Sequence, residues 1–311
     1  MWFTKCFQLF LITNVIAAAP CFQGNHATAE LRSRVIGRCL EFQANMMFNV
    51  SCEEKTRNCT DVWEKFSSGF AFKDPCNVKN DTFREYIMAT NHYVPKDKAM
   101  FWGGVYNLAH RYSNRGQSKV TLEDTMPGYV ADGLSFCGDN STSDGIAREN
   151  ITCPSTFLSA NCSSTVSSVF WTSASINFAK SVTGEIFVML NASRNPIYRN
   201  NSYFRMYEVP NLTKGTVTKA TVYIVGESPI SKGNLCGSES ILELKANLAE
   251  KDIAFECQEN PRDVMNILCG DNPRADVCSS IWKTSRSSRS KMNYHALLYI
   301  AFSVFTFSTW F

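Results

Sequence analysis

Between residues 28 and 44 the apolar side chains Leu31, Val35, Ile36, Leu40 and Phe42 recur mostly at steps of three and four, which predicts an amphipathic helix with one buried face. A second helix is predicted over 60–70, with Thr60 as N-cap and Asp61 and Glu64 near the positive end of its dipole. A third should begin at Asp81 or Thr82, because Thr82 and Glu85 have capping-box spacing and Phe83, Tyr86 and Ile87 form a buried stripe. Beyond Ser164 the texture changes. The runs 185–191 (EIFVMLN), 221–226 (TVYIVG) and 253–257 (IAFEC) are short, apolar and rich in β-branched or aromatic residues, so they read as buried strands. Between the last two, Ile241, Leu244 and Leu248 mark a helix over 238–251, giving a β-α-β unit whose strands should run parallel. The expected fold is mixed α+β: a helical N-terminal lobe, mainly 20–120, and a C-terminal lobe, mainly 165–280, with a small parallel sheet flanked by helices.

The two ends carry a different pattern. Residues 1–19 hold one cation, Lys5, then an apolar run closing on Ala17, Ala18 and Ala19, the layout of a removed secretory signal. Residues 296–311 are almost uninterruptedly apolar, with no cation behind them. A small, basic, serine-rich spacer at 285–291 (SRSSRSK) precedes them, so 286–311 reads as a propeptide exchanged for a GPI anchor. Both apolar runs are shorter than the roughly 20 residues a membrane-spanning helix requires.

Composition then narrows the chemistry. The 311 residues are 44% hydrophobic and 19% charged, enough for a packed core. Removing Lys5, Arg286, Arg289 and Lys291 with the two ends takes four of the 31 cations, leaving 27 against 28 anions, so the remaining domain is near neutral and no nucleic-acid partner is expected. Of 13 cysteines Cys6 leaves with the signal, and the 12 that remain accompany nine N-x-S/T acceptors, at Asn49, Asn58, Asn80, Asn140, Asn150, Asn161, Asn191, Asn200 and Asn211. That combination describes an oxidised, glycosylated ectodomain held by disulfides. There is no C-x-x-C and there are only four histidines, so no metal site is expected.

Few catalytic schemes survive. H-E-x-x-H, G-x-S-x-G and the glycine-rich phosphate loops are all absent. Carboxylates beside aromatics remain. Thr121–Gly138 (TLEDTMPGYVADGLSFCG) places Glu123, Asp124 and Asp132 within ten residues, although taken alone Asp124 reads as a helix cap and Asp132 as a solvated charge. Trp102 in MFWGG and Trp171 in VFWTS would by themselves be core residues, and Glu208 in RMYEVPNL a surface charge.

Together these pieces, with GRCLEF, DVWEKF, DPCN, MFWGGVYNLAH, VFWTSAS, VMLNAS, ENPR and LCGDNP, make residues 39–278 resemble the ADP-ribosyl cyclase / NAD glycohydrolase family of secreted and surface ectoenzymes. The resemblance implies one catalytic domain over 20–285 with an active-site cleft between the lobes. NAD, or NADP, would be substrate rather than cofactor, and no cofactor is implied. Glu208 matches the family's catalytic glutamate, Trp102 and Trp171 the two tryptophans that hold ring systems, and Glu123 the acidic residue at the nicotinamide end. Asp132 and Ser175 fall at pocket-lining positions, to which Phe204 and Gly103 are added as substrate-binding. Tyr203, five residues before the glutamate, stands where members carry either a small residue or an aromatic. An aromatic there implies a wall that folds the adenine back and favours cyclisation over hydrolysis.

The chain departs from the family where many members have a serine and an arginine near the phosphates. It has Gly103 and Gly104 instead, so pyrophosphate contacts must come from backbone or elsewhere. Two cysteine positions of some members are here Lys96 and Thr183. The resemblance implies the pairs Cys39–Cys59, Cys76–Cys162, Cys137–Cys153, Cys236–Cys257 and Cys269–Cys278, leaving Cys21 to Cys52. It also implies the outer face of the plasma membrane, a lipid-anchored attachment, and room for a homodimer. The competing reading is a GPI-linked receptor or adhesion module that keeps the scaffold without turnover.

Overall fold

A computed structural model of the chain describes residues 26–45, 56–154, 162–226 and 234–279. The expected signal (1–19), the tail (286–311), Cys21, Cys52, Asn49 and Asn161 lie outside them. Helix α1 (Leu31–Asn45) buries Leu31, Val35, Cys39 and Phe42, while Leu40, counted in its predicted stripe, is exposed. Helix α2 (Cys59–Ser68) is capped by Asn58 rather than by Thr60, because the Asn58 Oδ1 accepts from the backbone N–H groups of both Thr60 and Asp61. Helix α3 (Arg84–Thr90) starts later than its sequence signal, since the Thr82 hydroxyl donates to the Lys79 carbonyl instead of capping. Phe66 of α2 sits at the centre of the lobe, its ring meeting Phe70, Phe83, Tyr86, Phe136 and Phe170 at centroid separations of 4.6–6.2 Å.

Strand β1 (Met100–Gly103) is followed by α4 (Tyr106–Ser113), a 3₁₀ turn at Leu122–Asp124, α5 (Met126–Ala131) and α6 (Val166–Ser181). Then come β2 (Gly184–Asn191), a π-helical turn (Phe204–Glu208) running into α7 (Val209–Asn211), β3 (Val217–Val225), α8 (Glu239–Ala249), β4 (Ala254–Glu259) and α9 (Arg262–Asp271). The four strands lie in the order β1-β2-β3-β4, and every pair is parallel. The sheet thus takes its first strand from inside the segment expected to be helical, and the two lobes are not consecutive in sequence.

Strand alternation divides the core. Phe101, Ile186, Val188, Leu190, Ala220, Val222 and Ile224 join the large cluster that includes the helical lobe, α6 and α8. On the opposite face Met100, Phe187, Met189, Tyr223 and Val225 pack with Ala109 of α4 and Val264 of α9. Disulfides tie Cys39 to Cys59, Cys76 to Cys162, Cys137 to Cys153, Cys236 to Cys257 and Cys269 to Cys278. Where members of the resembled family carry a further bridge, the Asp97 N–H donates to the Thr183 carbonyl at 3.1 Å.

Gly128, in the first turn of α5, presses on the 3₁₀ turn. A Cβ there would stand 2.1 Å from the Leu122 carbonyl oxygen and 2.9 Å from the Glu123 Cα. Gly128→Ala should therefore displace that backbone and cost roughly 1–3 kcal/mol, an overpacking penalty readable as a fall in the denaturant midpoint. An unchanged midpoint would show that α5 and the turn can slide apart freely.

Candidate active site

The parallel sheet fixes where the cleft opens. Trp102 and Gly103 end β1, and side chains from α4, the 3₁₀ turn, α6 and the segment after β2 surround a cavity of about 590 Å³ beyond that end. Clefts outside the carboxyl ends of parallel strands are the usual ligand site of such sheets. Its lining includes Trp102, Gly103, Glu123, Asp132, Trp171, Ser175, Tyr203 and Glu208, so eight of the nine expected catalytic and substrate-binding residues converge.

Phe204 does not join them. It is 1% exposed and packs its ring against Phe101 and Tyr198, because the π-helical turn rotates it into the core while Tyr203 before it faces the cavity. A π turn adds a residue to the helical repeat, and such insertions recur at functional sites because they re-aim side chains. Here it delivers Glu208 at its last position.

Glu208 is 7% exposed, so it is not the surface charge its local sequence implied. Its Oε1 accepts from the Ser175 hydroxyl at 2.9 Å. Trp171 and Ser175 lie four residues apart on α6 and both line the cavity, so one helix face positions the indole and the carboxylate's hydroxyl partner. Burial pushes the Glu208 carboxyl up to about 8. The Ser175 hydrogen bond opposes this, and the nearby charge of Glu123 adds to it.

Glu123 and Asp124 separate by role. Asp124 Oδ2 accepts from the Thr121 N–H at 3.0 Å and the Thr121 hydroxyl at 2.9 Å, so it caps the turn, as read from sequence. Glu123 faces the cavity, where its Oε2 accepts from the Trp102 indole N–H at 3.2 Å and stands 3.5 Å from His110 Nε2. The other His110 nitrogen, Nδ1, donates to the Tyr106 carbonyl at 2.8 Å. Burial alone would lower the His110 pKa, but the hydrogen bond and charge of Glu123 prevail and lift it to about 9. At neutral pH His110 is therefore an imidazolium paired with Glu123. Asp132 is not solvated in the way its sequence implied: Tyr106 OH donates to its Oδ2 at 2.5 Å, and burial raises its carboxyl.

Tyr106 and His110 escaped the sequence reading. Their spacing of four places both rings on one face of α4, 4.0 Å apart, and the Tyr106 ring meets Trp102 edge-on at 5.5 Å. The signal was the i, i+4 aromatic pair directly after the tryptophan. Arg194 and Arg199 also line the cavity and were not singled out. Among the described residues no group of three or more His, Cys, Asp or Glu side chains is placed to hold a metal ion.

The arrangement is one proton-poised buried carboxyl, a second carboxylate already neutralised by a histidine, and aromatic faces around both. Such a site can stabilise positive charge developing next to Glu208. Known proteins agree with the geometry. The ADP-ribosyl cyclase family model matches residues 28–278. The ADP-ribosyl cyclase/cyclic ADP-ribose hydrolase of Aplysia californica is 36% identical over 259 residues, covering 81% of this chain and 87% of that protein. ADP-ribosyl cyclase/cyclic ADP-ribose hydrolase 1 of Oryctolagus cuniculus is 36% identical over 253 residues, covering 81% and 82%. Among solved structures, Aplysia cyclase complexed with substrate NGD and product cGDPR superposes with a TM-score of 0.73 at 34% identity, covering 81% of this chain and 98% of that one. Porcine CD38 with a covalent intermediate, ribo-F-ribose-5'-phosphate, gives a TM-score of 0.67 at 31% identity, covering 78% and 100%. With a family match across most of its length, a relative above one-third identity and the same fold, the chain belongs to the ADP-ribosyl cyclase family.

Proposed function

We propose that this protein is an ectoenzyme that cleaves the bond between nicotinamide and ribose in NAD, releasing nicotinamide and forming cyclic ADP-ribose, ADP-ribose or both. The observation that carries the reading is the buried Glu208 carboxyl, held by Ser175 at the floor of a cavity lined by Trp102 and Trp171. The activities of the family's known members and the bound substrate and product of Aplysia cyclase support it.

In this reading the C1'–N bond breaks with its electron pair leaving on nicotinamide, which departs neutral and so requires no strong acid. Positive charge builds on the ribose ring as an oxocarbenium-like centre, and the ionised Glu208 beneath it lowers the barrier, as carboxylates do in glycosidases. The indole faces suit the cationic pyridinium before cleavage. Glu123 is engaged by Trp102 and His110, so it fixes the indole rather than competing for the sugar cation. Water captures the centre to give ADP-ribose and releases one proton, or adenine N1 captures it to give the cyclic product, with the positive charge passing to the alkylated adenine. Tyr203 stands on the cavity wall with its ring 5.4 Å from Tyr207, and in this reading it presses the adenine inward and keeps water out.

The secretory and membrane features belong to the same proposal: removal of 1–19, exchange of 286–311 for a GPI anchor, and an extracellular site. Among the described residues no helix is long and apolar enough to cross a membrane. Asn58, Asn80, Asn140, Asn150 and Asn200 are exposed and available to glycans. Asn191 and Asn211 are half-buried, with amide nitrogens donating to the Gly104 and Tyr207 carbonyls, and on this reading they stay unmodified.

Glu208→Gln should fold and be secreted yet release nicotinamide at least about 10²-fold more slowly, measured by product chromatography, because only the transition state depends on that charge. Retention of most activity would remove the proposed role. With a free-enzyme pKa of about 8 for Glu208, kcat/KM for NAD should climb with pH and level off above that value. The cationic substrate favours the ionised carboxylate, so kcat should level off at lower pH. Stability runs the opposite way. Between the ordinary carboxylate value and about 8 the folded state holds a proton that the unfolded chain has lost, so wild-type stability falls with rising pH. The Tm of Glu208→Gln relative to wild type should therefore grow from pH 5 to pH 8, and a constant difference would contradict the raised pKa. Tyr203→Thr should lower the cyclic fraction formed from NAD and from its guanine analogue, and an unchanged fraction would exclude the wall.

A further inference from the structure

The cleft floor is acidic, but its rim is not. Arg194, in the turn after β2, and Arg199, five residues on, both line the cavity that holds Glu208, and among the described residues neither has an acidic partner within ion-pair distance or a side-chain hydrogen bond. The two guanidiniums face one cavity and repel each other, with none of the carboxylates that line it within ion-pair distance of either. Burial, with the charge of Arg199 added, disfavours the charged form of Arg194. An arrangement of this kind is relieved by an anion placed between the two groups.

The backbone holds Arg194 there by construction. Asn191, the last residue of β2, donates from its side-chain nitrogen to the Gly104 carbonyl at 3.0 Å and accepts from the Ser193 N–H at 2.8 Å, while the Arg194 N–H donates to the Asn191 carbonyl at 3.2 Å. The turn is thereby strapped across the end of β1. Gly104 has a φ of +75°, and a Cβ there would stand 2.1 Å from Arg194 Cζ and 2.2 Å from Nε. The guanidinium thus fills the space that any side chain at position 104 would occupy. A Cβ on Gly103 would meet only the end of the Leu190 side chain, at 2.9 Å. Gly104 therefore makes room for a cation supplied from the turn after β2.

We propose that Arg194, seated against Gly104 and assisted by Arg199, forms the diphosphate-binding rim of this cleft. The inference rests on the dinucleotide reading above and names the residues that hold the middle of such a substrate. A diphosphate offers several anionic oxygens in a short span, which matches two forked donors better than it matches one backbone amide.

The test uses the full chain and ADP as probe, titrated calorimetrically at physiological salt. Wild type should bind ADP, Arg194→Gln should bind it about tenfold or more weakly, and Arg199→Gln several-fold more weakly, with nicotinamide binding unchanged in both. With NAD, Arg194→Gln should raise KM by about tenfold and leave kcat within about threefold. ADP affinity equal to wild type in Arg194→Gln overturns the assignment. Should that variant fail to fold, Arg194→Lys, which keeps charge but loses the fork, and the exposed Arg199→Gln carry the test, and unaltered ADP affinity in both overturns it. A wild type that binds ADP through Arg194 but leaves NAD intact would sink the proposed activity and keep the rim, whereas NAD cleavage indifferent to both arginines would do the reverse.

Discussion

A carboxyl group taken out of water with one hydroxyl as its hydrogen-bond partner is an unfavourable thing to build, and Glu208 is such a group. Its position is the constraint around which the rest of the cleft is arranged. Burying an isolated carboxylate in an apolar core would simply protonate it. Here the carboxyl borders a cavity, so it is dry enough for its pKa to rise to about 8 yet open to whatever enters from the sheet's carboxyl end. A positive charge brought beside it would favour release of that proton.

Three segments distant in sequence must agree for this to hold. Helix α6 brings Ser175 and Trp171 on one face, the π-helical turn rotates Glu208 toward them, and the end of β1 aims Trp102 at Glu123. Each is anchored away from the chemistry. Phe170, next to Trp171, is locked edge-on into the aromatic centre around Phe66. Phe204 wedges the π turn against Phe101 of β1, and Gly128 lets α5 lie against the 3₁₀ turn. The protein therefore positions the buried carboxyl with its core, and the same packing that stabilises the fold sets the site's geometry.

Legibility in the sequence followed burial geometry. The β3-α8-β4 unit was readable because β3 is buried along most of its length and α8 has a clean stripe at Ile241, Leu244 and Leu248, whereas β4, expected to be buried, is an edge strand that is half-buried to exposed throughout. Helix α6 was not read as a helix, since its buried positions Val166, Val169, Phe170, Ala174, Phe178 and Ala179 alternate with Ser, Thr, Trp and Ile residues that are themselves half-buried, which leaves little polar contrast between its faces. Strand β1 is four residues long, too short to show a period. The Asn58 cap was hidden because two residues with capping side chains, Asn58 and Thr60, stand two positions apart and compete for one helix start. At the site, Glu208, Trp102, Trp171 and Glu123 were recognisable only through family resemblance. Locally a lone glutamate after a polar loop reads as surface, and nothing in the chain announces a π turn that inverts that expectation. The Tyr106–His110 pair left an i, i+4 aromatic spacing in the sequence, but its partner Glu123, like the placement of Arg194 against Gly104, comes from another segment, which no local pattern encodes.

The charges of the cleft are sorted by depth, and that sorting limits what can bind. Glu208 and Glu123 lie buried, with His110 compensating only Glu123, while Arg194 and Arg199 stand nearer solvent at the rim. A ligand that is anionic throughout meets repulsion at the floor, and one that is cationic throughout meets it at the rim. A neutral ligand gains nothing from either, because the desolvated Glu208 then keeps its proton. The complementary shape is a molecule with a cationic ring at one end, a neutral sugar beside it and negative charge several bonds further on. Cleaving such a ligand at the ring shifts the positive charge from the ring to the sugar beside Glu208, so the electrostatic grip on the ring weakens while the grip on the sugar grows, and the freed ring is the fragment that leaves first.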